Sequence, residues 1–248
     1  VPSQERATLL VFSLAPEAGC DRRPLLPRRL RRLERDLRQR CLEQTLRAGR
    51  AAGLDLELAT PGASSEALRA ASDVRVVPQT GATFADRVRE ALHRSWSRHP
   101  EGPILLVGAD TPELGVDHLL GALERLRRDP EAVVVGPSPD GGFYLLAAAR
   151  PLDAALDRVR WCGAHARADL VASLERMGRP VVLLEPLADL DRPSDLLALL
   201  ARAPGAVVWL ARRIRAALGE LARPLEAPPA GHLLGDLASV RTLRGPPA

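Results

Sequence analysis

The chain has no lysine, no asparagine, only two isoleucines (Ile104 and Ile214), and just three phenylalanines, three tryptophans and one tyrosine in 248 residues. So few rings leave little for the stacked platforms that grip single-stranded nucleic acid, and nucleic acid is not an expected partner. Cys20, Cys41 and Cys162 are an odd number without C-x-x-C spacing, which excludes a disulfide framework and a zinc knuckle and suits a reducing cytoplasm. No apolar run approaches the roughly 20 residues that cross a bilayer. The first such run, Leu9 to Leu14, is also too short for the core of a secretion signal. Internal repeats of fixed period are absent as well.

What is present is ordinary for a globular chain: 46% hydrophobic and 27% charged residues. With lysine missing, all basic residues are arginine, and 35 of them against 31 acidic side chains give a net charge of +4. That excess does not by itself imply an anionic surface partner, because arginine simply stands where lysine would. The run Arg28, Arg29, Arg31, Arg32, Arg35, Arg38 and Arg40 reads first as the solvated face of a helix whose leucines point inward; attraction to an acidic membrane surface or a phosphorylated partner is the alternative.

Apolar runs alternate with amphipathic stretches. Strands are expected at 7–14, 54–60, 74–78, 103–107 and 132–135, with helices at about 30–46, 64–72, 84–97 and 116–128. This alternation predicts an α/β fold with a mostly parallel, Rossmann-like sheet covered by helices on both faces. Residues 143–148 follow the fifth strand after a turn too short for a parallel crossover, so an antiparallel insertion is expected there. Helices at about 151–158 and 166–177, a strand at 181–184 and a helix at 194–201 complete a domain over residues 1–203. Residues 204–248 form a second unit, an amphipathic helix (Val207, Leu210, Ile214, Leu218, Leu221) and a proline-rich tail. That helix could pack on the domain, make a homodimer or touch a membrane.

Three acidic loops follow predicted strands, where a parallel sheet binds its ligand. In Gly108-Ala-Asp-Thr-Pro112, Gly108 allows close backbone approach and Asp110 either holds a divalent cation or caps the turn. In Gly136-Pro-Ser-Pro-Asp-Gly-Gly142, Asp140, Gly141 and Gly142 make either a ligand-lining loop or a hairpin turn. In Asp189-Leu-Asp-Arg-Pro-Ser-Asp195, Asp189 and Asp191 follow a strand and Ser194 or Asp195 can cap the next helix.

These motifs, with Gln79-x-Gly81, Arg87, Phe143-Tyr-Leu-Leu146 and Trp161, resemble in order and spacing the bacterial family of uncharacterised proteins called DUF2064, whose members are labelled arsenosugar- or selenodomain-associated glycosyltransferases. The resemblance spans about residues 7–201 and implies the GT-A fold of nucleotide-diphospho-sugar transferases. It implies Asp110 and Asp191 as ligands of Mg²⁺ or Mn²⁺, and Asp140 as the catalytic acceptor-side carboxylate beside Asp110. It further implies nucleotide contacts from the first loop (Ala15, Gly19, Arg22) and from Gln79, Arg87, Gly108, Gly141 and Gly142. Two departures stand out. The first loop has Leu14 and Pro24 where relatives have Lys and Arg, leaving Arg22 or Arg23 to compensate, and Cys162-Gly163 replaces Ser-Thr after Trp161.

The leading expectation is a metal-dependent glycosyltransferase that uses a nucleotide-diphosphate sugar and a small-molecule acceptor. A nucleotidyltransferase joining a nucleoside triphosphate to a phosphorylated small molecule is the first alternative, disfavoured by the depleted first loop. The second is a non-catalytic relative serving binding or assembly.

Overall fold

The computed structural model describes residues 6–22, 24–61 and 73–202, with Arg212 and Ala216 beyond them. The helix expected at 64–72 and the C-terminal unit expected from 204 lie outside these residues, apart from those two positions. Among the described residues, seven strands form one sheet: β1 (Thr8–Phe12), β2 (Asp55–Thr60), β3 (Val74–Pro78), β4 (Ile104–Val107), β5 (Val133–Pro137), β6 (Phe143–Ala148) and β7 (Val181–Leu183). Their order is β3-β2-β1-β4-β6-β5-β7, and every pairing is parallel except those that β6 makes with β4 and β5. The antiparallel insertion therefore sits where the short turn after β5 requires it.

The period of two along the strands sorts side chains into two cores. Leu9, Val11, Leu56, Leu58, Leu105, Val107 and Leu145 face helices α2 (Arg31–Ala51) and α4 (Val116–Arg128). Leu10, Ala59, Ile104, Leu106, Val133, Val135 and Leu146 face α3 (Phe84–Arg98), α5 (Asp153–Leu156) and α6 (Ala166–Arg176). A third, smaller core lies outside the sheet. It joins Leu25, Leu26 and Leu30 to Leu33 and Leu37 of α2, to Leu190, and to Leu196 and Leu199 of α7 (Pro193–Arg202).

Two expectations are corrected near the N-terminus. The stretch after β1 is not all loop: residues Pro16–Arg22 form a helix, α1, and Arg28–Leu30 a 3₁₀ turn. Within the arginine run, Arg28, Arg29, Arg32, Arg35 and Arg40 are exposed as expected, but Arg38 turns inward with its side chain only 16% exposed. The cause is Glu34, one turn earlier and buried, whose carboxylate accepts from the backbone N–H of Leu25 (3.0 Å) and Leu26 (3.1 Å) and from Arg38 Nε (3.1 Å) and Nη2 (3.0 Å). A buried carboxylate must have such partners, so the loop from α1 to α2 is tied down by one side chain.

A second buried ion pair anchors α3 to β2. Glu57 is 1% exposed and accepts from Arg98 Nε at 2.7 Å and Nη2 at 2.6 Å, with His99 Nε2 at 3.3 Å. Burial raises the Glu57 pKa, but the Arg98 hydrogen bonds and charge outweigh it and hold the carboxyl below its ordinary value. Its contribution to stability is therefore complete above the carboxylate range of the unfolded chain and is lost as pH falls through the lowered folded value. We predict that Glu57→Gln, which strands Arg98, destabilises the protein by about 3 kcal/mol at pH 7 and flattens the acid limb of the stability profile; urea denaturation at pH 3–7 measures both.

Candidate functional site

A cavity of about 520 Å³ opens at the rim formed by the carboxyl ends of β1, β3 and β4 and the start of the oppositely directed β6. Three acidic loops deliver their carboxylates to it. Asp110 follows β4, Asp140 sits in the turn between β5 and β6, and Asp189 and Asp191 lie between β7 and α7; all four line the cavity.

Each loop has a local reason for its shape. Gly108 is required because a Cβ there would stand 2.3 Å from Oδ1 of Asp110, so the carboxylate folds back over a backbone without a side chain. In the β5–β6 turn, Asp140 Oδ1 accepts from the Gly142 N–H at 2.8 Å, and Ser138 and Gly142 close the hairpin through backbone bonds. The loop of Asp189 and Asp191 is tied at both ends. Leu190 donates its N–H to the Asp110 carbonyl at 2.9 Å, and the Asp195 carboxylate accepts from the N–H groups of Asp191 (3.2 Å) and Arg192 (2.8 Å). Asp195 is thus the residue that orders the start of α7, as a capping residue would.

Among the described residues, the carboxylates that come within 4.8 Å of one another are Asp140, Asp189 and Asp191. Asp191, an expected cation ligand, and Asp140, expected on the acceptor side, both belong to this group, and Asp110, the other expected ligand, lines the same cavity. Asp189, a residue without an expected role, is central to the group. Burial and then the charges of Asp110, Asp140 and Asp191 push its carboxyl up to about 7. Asp110 also bears on α2: after burial, its charge helps raise the Cys41 thiol to about 12, so Cys41 stays a protonated wall residue. Hard carboxylate oxygens this close repel unless a proton or a cation stands between them, and the donor set suits Mg²⁺ or Mn²⁺.

The rest of the cavity divides into two walls. On one, Arg38 reaches in from α2, and Gly19 of α1 lies against it; a Cβ at Gly19 would be 3.0 Å from Arg38 Cδ. On the other, Thr83 and Asp86 form a reciprocal cap at the start of α3. The Thr83 hydroxyl accepts from Asp86 N–H at 3.1 Å, and the Asp86 carboxylate accepts from Thr83 N–H at 3.0 Å. Gly81, at φ +134°, lets the chain fold back on Asp86. This turn sets Phe84 and Arg87 in the first turn of α3, facing the cavity.

All three phenylalanines, the one tyrosine and one of the three tryptophans line this cavity. Phe12 meets Phe84 at 5.5 Å between ring centroids, Phe84 meets Trp161 at 5.7 Å, and Trp161 meets Phe143 at 5.8 Å, all edge-on or tilted. The Trp161 segment is held by Arg160, whose backbone N–H (3.0 Å), Nε (2.8 Å) and Nη2 (2.9 Å) all bond Asp169 of α6, and these bonds hold the Asp169 carboxyl down at about 2. Cys162 lines the cavity at φ 62°, in the left-handed region uncommon for a side chain other than glycine.

Of the other expected contact residues, Ala15, Gly19, Gln79, Arg87, Gly108 and Gly142 line the cavity. Gln79 has a bracing task there: its Nε2 donates to the carbonyls of Ser13 (3.0 Å) and Ala59 (2.9 Å), joining the ends of β1 and β2. Gly141 is placed differently. It is absent from the cavity wall, and its φ of +92° and missing Cβ serve packing on the next segment, because a Cβ would stand 2.1 Å from the Ala164 carbonyl oxygen. Arg22 is the last residue of α1, and its side chain is outside the described part. Arg38 escaped notice because it lies within an arginine run, where only the buried Glu34 one turn earlier hints at an inward position. The aromatic wall has a signal in the sequence, because the rare rings adjoin the first loop (Phe12), Gly81 (Phe84), Gly142 (Phe143, Tyr144) and Cys162 (Trp161).

No curated protein matches the chain by sequence. The model of a family described as "Uncharacterized protein conserved in bacteria (DUF2064)" matches residues 44–163. Among solved structures, a "putative nucleotide-diphospho-sugar transferase" from Desulfovibrio desulfuricans G20 is 18% identical with a TM-score of 0.72, over 88% of this chain and 98% of that one. A 4-diphosphocytidyl-2C-methyl-D-erythritol synthase from Anaerococcus prevotii DSM 20548 is 12% identical with a TM-score of 0.51, over 79% and 97%. Glucosyl-3-phosphoglycerate synthase from Mycobacterium tuberculosis, solved with Mn²⁺, UDP and glucosyl-3-phosphoglycerate, is 13% identical with a TM-score of 0.51, over 81% and 77%. At these identities the likeness is one of fold, and the architecture is the GT-A-like one expected. No helix among the described residues is long and apolar enough to cross a membrane.

The raised Asp189 pKa fixes a sign. The folded state keeps a proton that the unfolded chain has released above about pH 4, so in cation-free protein stability falls as pH rises towards 7. Asp189→Asn removes that fall. We predict that, in chelator-treated protein, the melting temperature of Asp189→Asn exceeds that of the parent by several degrees at pH 8 and by much less at pH 5; parallel pH profiles would contradict the assignment.

Proposed function

We propose, for a chain whose residues 44–163 match the model of the DUF2064 family, a divalent-cation-dependent transferase that moves a sugar from a nucleoside diphosphate to a small acceptor. The observation that carries this reading is the gathering of Asp140, Asp189 and Asp191 within 4.8 Å on the wall of a cavity at the sheet rim, with Asp110 beside them. The fold it shares with nucleotide-sugar and nucleotidyl transferases adds support.

In this reading Asp189 and Asp191, with Asp110, hold Mg²⁺ or Mn²⁺. The cation supplies positive charge that neutralises the diphosphate as it departs. Arg38, already oriented by Glu34, contributes a fixed charge from the side, at no cost in side-chain ordering when the donor arrives. The backbone around Ala15 and Gly19 takes the nucleoside end. Transfer breaks the bond between the anomeric carbon and the diphosphate oxygen and forms a bond from the acceptor oxygen to that carbon. The acceptor proton passes to Asp140, the most exposed of the carboxylates. The nucleoside diphosphate is the leaving group.

Nucleotidyl transfer fits less well. A triphosphate needs several cations along the first loop, and at Leu14 that loop presents an apolar side chain to the cavity.

We predict that UDP, GDP, CDP or ADP binds the full chain in calorimetry only when Mn²⁺ is present, and that Asp191→Ala weakens that binding at least tenfold. Arg38→Gln weakens it less, through lost charge alone. Nucleotide binding that is indifferent to Mn²⁺ and to Asp191→Ala, or release of pyrophosphate from a triphosphate, would refute the proposal.

A further inference from the structure

The two walls of the cavity differ in how well their donors are satisfied. On the α2 wall the Arg38 guanidinium is engaged by Glu34. On the α3 wall the Arg87 Nε–H and the Trp161 Nε1–H are both buried, and neither meets an acceptor. A buried donor left without a partner forfeits the hydrogen bonds it made to water. Two of them, one cationic and one neutral, belong to residues of one cavity wall, and the oxygen atoms of a ligand would satisfy them. The rings around them are hydrophobic: Phe84 and Phe143 flank Trp161, and Phe12 extends the same surface. The helices carrying the two arginines pack on opposite faces of the sheet, so the walls are separate subsites with the carboxylates also at the rim.

We infer that the α3 wall is the acceptor subsite and that its ligand is a ring bearing an oxyanion, a phosphate or a carboxylate. Arg87 and the Trp161 indole N–H bond the oxyanion, and the ring lies against Phe84 and Phe143. The word acceptor rests on the transferase reading; the oxyanion-and-ring chemistry of the wall does not. This assignment moves Arg87 away from the donor phosphates, where the family resemblance puts it, and leaves Arg38 to serve them. An aromatic ring and the C–H face of a sugar satisfy such a wall equally, and the experiment separates them.

Calorimetric titration of the full chain, without nucleotide, compares phenyl phosphate with phenol and glucose 6-phosphate with glucose. At least one phosphorylated compound binds tenfold or more tightly than its uncharged counterpart, and which of the two does so identifies the ring. Arg87→Gln abolishes that preference, whereas Arg38→Gln preserves it. Trp161→Phe keeps the ring and removes the N–H, and weakens the phosphorylated compound several-fold without affecting the uncharged one, so the test does not depend on a single variant folding. Equal binding of charged and uncharged compounds, absence of binding by all four, or a preference that survives Arg87→Gln and vanishes in Arg38→Gln overturns the inference. The readout is distinct from that of the transferase proposal. If Mn²⁺-dependent nucleotide binding fails while the Arg87-dependent preference holds, the transferase reading falls and the oxyanion site stands; the opposite pattern sinks only the site.

Discussion

Electrostatic repulsion among carboxylates is the constraint from which the rest of this molecule follows. Asp110, Asp140, Asp189 and Asp191 are brought to one rim by loops from different parts of the sheet, and nothing in their mutual interaction favours that arrangement. It persists because each loop is fixed by bonds that do not involve the carboxylates of its neighbours. Leu190 holds the Asp110 carbonyl, Asp195 holds the backbone at 191 and 192, and Gly142 holds Asp140. Burial first, and then this repulsion, show as the proton that Asp189 retains near neutrality. Repulsion of this kind, imposed by rigid scaffolding, is how a protein keeps a cation site prepared in advance.

The same separation of tasks runs through the whole cavity. Structural bonds converge on the backbone and leave side chains for chemistry. Glu34 spends its carboxylate on Leu25, Leu26 and Arg38, and so fixes both the first loop and the orientation of a guanidinium. Gln79 spends its amide on two strand ends. The opposite wall keeps its donors unspent. A chain with so few rings places most of them here, which implies that they serve the cavity rather than the general core, where leucine, valine and alanine suffice.

Much of this was legible in the sequence. Strand periodicity and short apolar runs locate the seven described strands; burial on two faces gives the strong signal of β1, β4 and β5, while β3 and β7 at the sheet's ends are read from their short valine-rich runs. The turn after β5 is too short for a crossover and so dictates the direction of β6. The three acidic loops were readable because carboxylates directly after strands must lie at the rim. What was not legible depends on contacts distant in sequence. Helix α1 lacks a hydrophobic stripe of its own and packs on α2. Arg38 is indistinguishable from its exposed neighbours until Glu34 is seen to be buried. Asp189 and Asp191 are alike in a one-dimensional pattern, and only the fold buries Asp189 beside three other carboxylates. Gly141 reads as a ligand-facing glycine until its neighbour at Ala164 appears.

That last contact has a mechanical consequence. Gly141 presses on the Ala164 carbonyl, and the Gly141 carbonyl accepts from Arg167 N–H at 3.0 Å, so the Asp140 hairpin and the segment from Trp161 to α6 are riveted into a single block. The facing block has its own small core, made by the 25–30 stretch, α2, Leu190 and α7. The two banks of the cleft are therefore braced independently of each other, one by backbone bonds across the Gly141–Ala164 contact and the other by packed leucines.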